Sequence, residues 1–404
     1  MAAKIKKLLD LHTFSNNIVD IYHKLSNLAL SLHQTNKIKT MKNFAYLLMA
    51  GGIILAACNN EPAYKIAGTV EGIADGETIY LQEVQGRDLI KLDSAVIKNG
   101  TFTFNGRQDS AANRYITYMT DNARLMTDLF LENGNINVVL AEESRATGTP
   151  NNDIYQAFKD NFMAMNKEMN EMYQKARTDS TLTEAQREEI MAKIEAKDTE
   201  AMDMVYNTIA TNITTAVGIH LLPNYAAAFD LEKQAALAEQ IPAQYQNNER
   251  IARFINSVEV AKKTAVGQKY IDFAMNNPKG KEVKLSDFIG KNKYTLVDFW
   301  ASWCGPCKAE MPNVVAAYKE FNKKGFGIVG VSLDNDEAKW KEAIKTWGMT
   351  WPMMSDLKGW QCEGAALYGV RSIPATVLID QEGTIIARNL RGEAIKEKLN
   401  ELLK

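Results

Sequence analysis

Residues 295–312 read TLVDFWASWCGPCKAEMP. In a chain of 404 residues with four cysteines, two of them fall three positions apart, directly after a run of strand formers. The strand formers from Leu296 to Trp300, apolar but for Asp298, predict a buried strand, and the residues after Cys304 predict a helix. Cys304 is therefore expected at a strand-to-helix junction. A thiol at a helix N-terminus ionises more easily, because unpaired backbone N–H groups and the helix dipole stabilise the thiolate. Cys307 lies one turn further on, within disulfide reach across a loop holding only Gly305 and Pro306. Pro306 suits the first helical turn, where its missing N–H costs nothing, and Gly305 leaves one side of the sulfur uncovered for a partner.

Such a pair can also be half of a zinc site, but the other candidates are Cys362 and the distant His220, and no second pair exists. No metal site is expected. Cys362, in GWQCEGAALYG, reads as a small buried apolar residue. A net charge of −2, with no basic run interleaved with aromatics, argues against nucleic acid as a partner.

Outward from that segment, strands and helices alternate through GFGIVGVSL, a helix near Glu337–Trp347, EGAALYG, ATVLID and TIIARNL. Apolar strands alternating with helices predict an α/β sheet covered on both faces, over residues 265–404. Before it the period is helical. Tyr155, Phe158, Phe162, Met165, Met169 and Met172 recur at steps of three and four, predicting one long amphipathic helix in a helical domain over 146–264. Thr183 and Gln186 offer a capping box for a second helix, which Pro223 is expected to end. The apolar stripes leave room for a homo-oligomer. The Met stripe reads as core filler rather than a soft-metal site. Residues 58–145 alternate strands and turns, with Asp75-Gly76 and Asn99-Gly100 as turn pairs, and predict a small antiparallel β domain.

At the other end, residues 41–57 carry Lys42 and an apolar run from Phe44 to Ala57, too short to span a bilayer comfortably. LAAC, Leu55 to Cys58, resembles the lipobox of bacterial lipoproteins. That resemblance implies a signal peptide at 41–57, lipidation of Cys58 and a membrane anchor in the cell envelope. Residues 1–40 fit no signal-peptide pattern and are expected to be an upstream extension. No aspartate follows Cys58, which by family analogy points to the outer membrane, facing the periplasm.

VDFWASWCGPCK, Val297 to Lys308, is similar to the active-site strand and helix of thioredoxin, and the match extends to YGVRSIPATVLID, Tyr368 to Asp380. By that resemblance Pro374 is a cis proline beside the disulfide, and Ser372 and Ile373 pair with an extended substrate. Trp303, Gly305 and Pro306 shape the partner surface. Cys304 is the nucleophile, Cys307 resolves the mixed disulfide, and Asp298 is the buried acid that assists it. The lipobox, the GQKYIDFAM lead-in, CKAEMP and the added helix before WPMMSD resemble the TlpA/ResA group of envelope reductases, whose carboxylate matches Glu310. The β domain looks like an uncharacterised domain common at the N-terminus of envelope lipoproteins. The implied function is reduction of protein disulfides with no cofactor beyond the Cys304–Cys307 pair, supplied by a membrane electron donor. Two other classes compete: a thiol peroxidase, and an envelope binding or scaffold lipoprotein with an accessory redox module.

Overall fold

The computed structural model describes residues 63–120 and 123–404. The signal segment, Cys58 and the expected upstream extension lie outside the described residues.

Eight strands open the described chain: β1 (Tyr64–Val70), β2 (Thr78–Gln85), β3 (Asp88–Val96), β4 (Thr101–Gly106), β5 (Ala112–Met119), β6 (Arg124–Leu131), β7 (Gly134–Leu140) and β8 (Arg145–Thr147). They form two sheets, ordered β4-β1-β7-β8 and β3-β2-β5-β6. Alternation along each strand turns Ile66, Phe104 and Ile136 of one sheet and Ile79, Ile116 and Leu129 of the other into a single core. Asn99 and Gly100 both adopt positive φ, 52° and 66°, as a tight hairpin turn requires, and the Asp75 carboxylate accepts both of their N–H groups.

Helix α1 (Pro150–Thr178) follows. Asn152 accepts the Phe130 N–H at 2.9 Å and donates to the Phe130 carbonyl at 2.7 Å, so its side chain satisfies the open edge of β6 as another strand would. By compactness the chain divides at Ala164/Met165, inside α1.

The second unit takes the rest of α1 and continues with helices α2 (Glu184–Thr211), α3 (Ala216–Tyr225), α4 (Leu231–Gln240) and α5 (Glu249–Lys263). The Thr183–Gln186 capping box starts α2. Pro223 does not end that helix. The break comes earlier, at Asn212–Thr215, and Pro223 sits inside α3. The cause is a close backbone approach: a Cβ on Gly218 would lie 2.2 Å from the Asn212 carbonyl oxygen, so the chain folds back tightly there.

The remaining strands make one sheet ordered β10-β9-β13-β12-β11-β14-β15, from β9 (Ala274–Asn276), β10 (Glu282–Lys284), β11 (Tyr294–Trp300), β12 (Phe326–Ser332), β13 (Met353–Ser355), β14 (Ala375–Asp380) and β15 (Ile385–Arg388). Helices α6 (Gly305–Phe321), α7 (Glu337–Thr346), α8 (Glu363–Leu367) and α9 (Glu393–Leu402) complete it. Strands β11 and β12 run parallel and are almost wholly buried, as a sheet covered on both faces demands. Strand β14 runs antiparallel to β11 and pairs Ala375 with Phe299. That register brings the residues after β11 beside those before β14. Arg388 donates to the Thr264 carbonyl at 2.5 Å and the Tyr368 carbonyl at 2.7 Å, capping the end of α5 and fastening it to the sheet.

Candidate active site

Cys304 is the N-cap of α6: its sulfur accepts the Cys307 N–H at 3.1 Å and its carbonyl the Lys308 N–H at 3.1 Å. The two cysteines form a disulfide. Both are buried, Cys304 at 4% exposed and Cys307 at 1%. Gly305 and Pro306 are exposed, and a Cβ on Gly305 would touch nothing within 4 Å, which leaves that side open.

The register of β11 and β14 delivers the second half of the site. The Ile373–Pro374 peptide is cis, and the Ile373 carbonyl oxygen lies 3.6 Å from the Cys304 sulfur. Ser372 is exposed and Ile373 half-buried, so backbone just before Pro374 borders the disulfide at the surface. The expected residues Cys304, Cys307, Ser372, Ile373 and Pro374 thus come together, with Trp303 half-exposed beside them.

Beneath them, Asp298 on β11 is 2% exposed, and its Oδ2 has no hydrogen-bond partner. Burial, with a smaller push from the charge of Glu310, raises its pKa from 3.8 to about 7. Glu310 is half-buried on α6; its Oε1 accepts the Gly392 N–H at 2.5 Å and its Oε2 accepts from Asn313 Nδ2 at 3.4 Å. Next to Gly392, the Arg391 guanidinium donates to the Pro374 carbonyl. One dipeptide before α9 therefore holds both a site carboxylate and the proline loop.

Sequence reasoning missed this clamp, whose only local sign is a glycine placed just before a helix. Gly392 has φ 56° and ψ −133°, a region that side-chain-bearing residues avoid. Gly392→Ala is expected to cost about 1–3 kcal/mol of stability and to loosen Glu310. Urea unfolding of the two chains measures it, and an unchanged midpoint would refute the clamp.

A second omission is Asp334, fully buried just past β12. Its carboxylate accepts the Ser302 N–H at 3.0 Å, the Ser302 hydroxyl at 2.5 Å and the Ser332 hydroxyl at 2.7 Å. It fixes the loop that carries Trp303 and Cys304. An acid closing an otherwise apolar strand, in GVSLD, was the available signal. Cys362 is wholly buried, and burial lifts its thiol to about 11, which leaves it protonated and inert at neutral pH. Among the described residues, no group of three or more His, Cys, Asp or Glu side chains is placed to hold a metal.

The AhpC/TSA family model matches residues 266–388, and a model for a domain of unknown function (DUF4369) matches 64–155. The thiol-disulfide oxidoreductase ResA of Bacillus thuringiensis subsp. konkukian is 33% identical over 142 residues, spanning 35% of this chain and 79% of that protein. The chain belongs to the ResA-type thiol-disulfide oxidoreductases. ResA of Oceanobacillus iheyensis is 41% identical over 103 residues, 26% of this chain and 51% of that one. Among solved structures, a thiol-disulfide oxidoreductase from Bacteroides fragilis is 36% identical, covering 34% of this chain and 100% of that chain, with a TM-score of 0.32. The thioredoxin domain of a thiol-disulfide oxidoreductase from Bacteroides vulgatus is 34% identical, over 35% of this chain and 99% of that one, TM-score 0.32. The AhpC/TSA match covers the part that holds Cys304 and Pro374, a thioredoxin-like domain preceded by a helical and a β-rich region.

Proposed function

We propose that this oxidoreductase works as a reductase of protein disulfides in the cell envelope, held to the membrane by lipid on Cys58. The observation that carries the redox reading is the arrangement of the cysteine pair, a disulfide with one sulfur capping the helix N-terminus next to exposed Trp303, Gly305 and Pro306 and the other one turn further in. LAAC and the apolar run before it support the anchor, and the absence of aspartate after Cys58 supports the outer membrane.

In the reduced chain the Cys304 thiolate attacks one sulfur of the substrate disulfide. The substrate's other sulfur leaves as a thiolate and takes a proton, and a mixed disulfide remains on Cys304. Ser372 and Ile373 hold the substrate backbone in extended form while this happens. Asp298 then takes the Cys307 proton, and the Cys307 thiolate attacks Cys304, releasing the second substrate thiol. The substrate gains two electrons and the chain ends as the Cys304–Cys307 disulfide. A dithiol donor at the membrane must return those electrons, because the compartment itself is oxidising.

The direction is tested by equilibrating the full chain with dithiothreitol buffers. A potential near thioredoxin's, about −270 mV, is expected for a reductase; one near about −120 mV would make the chain an oxidant instead.

A further inference from the structure

Beyond Val266, the large apolar side chains left exposed among the described residues are Trp303 and Trp360, at 50% and 53%. Single exposed apolar residues are ordinary, but here two indoles stand together, ring centroids 6.0 Å apart and tilted by 54°, and one of them, Trp303, immediately precedes Cys304. Both are held on stiff backbone. The Asp334 carboxylate ties down Ser302, next to Trp303, while the Asp334 carbonyl accepts the Gly359 N–H at 3.4 Å, next to Trp360. The turn carrying Trp360 is braced again by Asp356, which accepts from the N–H groups of Lys358 at 3.1 Å and Glu363 at 2.9 Å. Two rings kept wet and rigid lose little freedom on binding, which is the character of an interface anchor.

We propose that Trp303 and Trp360 form one contiguous two-ring surface that grips an apolar side chain flanking the disulfide of a protein substrate, with Trp360 as the specificity-determining residue. The proposal rests on the protein-reductase reading. Its occupant follows from position: with centroids 6.0 Å apart the rings touch and present one continuous apolar surface, whatever delivers a disulfide to Cys304 passes over it, and a polar small disulfide has nothing to lay against it. Trp303 is bound to the cysteine's own backbone, so the two indoles differ in role. Trp303 forms the part of the surface nearest Cys304, and Trp360 extends it.

The test uses the pre-reduced full chain and measures second-order rates of thiol loss with insulin and with oxidised glutathione. Trp360→Ala is expected to slow insulin by about tenfold or more while glutathione changes less than about twofold, and Trp360→Phe is expected to restore most of the insulin rate. An unchanged insulin rate would overturn the grip. So would an equal loss with both substrates, which would make Trp360 a support of the disulfide loop. If the unaltered chain exchanges with glutathione but not with insulin, the reductase reading itself fails and the grip falls with it.

Discussion

Cys304→Ser is expected to abolish disulfide reduction, by at least about 10⁴-fold, whereas Cys307→Ser should leave a chain that attacks once and stays bound to its substrate. The asymmetry follows from burial and capping. The Cys304 sulfur sits where the Cys307 N–H points at it, 3.1 Å away, and the same donor stabilises a thiolate once the disulfide opens. A serine hydroxyl is scarcely ionised at neutral pH even there, so exchange loses its nucleophile. In the proposed order Cys307, 1% exposed against 4% for Cys304, acts on the mixed disulfide rather than on the substrate disulfide. Non-reducing gels after mixing each variant with insulin decide the matter. The covalent adduct should form with Cys307→Ser and be missing with Cys304→Ser. Adducts of equal yield from both would mean that either sulfur can lead, against the burial order.

What could be read beforehand was local. A strand running into Cys-Gly-Pro-Cys announces its own junction, and the alternation around Asn99-Gly100 announces a hairpin, because each signal lies within a few residues. The proline loop was placed through a family likeness rather than through any pattern of its own. What escaped was made by sheet order. Asp334 meets Ser302 across 32 residues because β12 lies beside β11, and Gly392 meets Glu310 across 82. No periodicity encodes such a meeting. Pro223 misled for the opposite reason: a strong local stop signal was overruled by the tight return of the chain at Gly218.

Asp298→Asn is expected to make the protein more stable in mild alkali and slower as an enzyme. Folding holds the Asp298 carboxyl at a pKa of about 7, chiefly by burial, against 3.8 when unburied. Between about pH 4 and pH 7 the folded chain thus keeps a proton that the unfolded chain has released, and stability falls as pH rises through that window. At 1.36 kcal/mol per unit the loss reaches about 4 kcal/mol by neutrality and is constant above it. Below about pH 4 both states are protonated and the contribution is unchanged. Asparagine carries no such proton, so the variant's urea midpoint should hold level from pH 4 to 8 in that share of the titration and exceed the parent's at pH 8. The catalytic cost runs the other way. If Asp298 is the base that takes the Cys307 proton, as proposed, resolution of the mixed disulfide at pH 8 should slow by about 10²-fold in the variant, and adduct should accumulate in turnover. Glu310→Gln removes the smaller, coulombic part of the shift, so its rate profile should move toward lower pH without losing the base. If Asp298→Asn resolves adduct within about twofold of the parent rate, Asp298 is a buried structural acid and the proton on Cys307 leaves by another route.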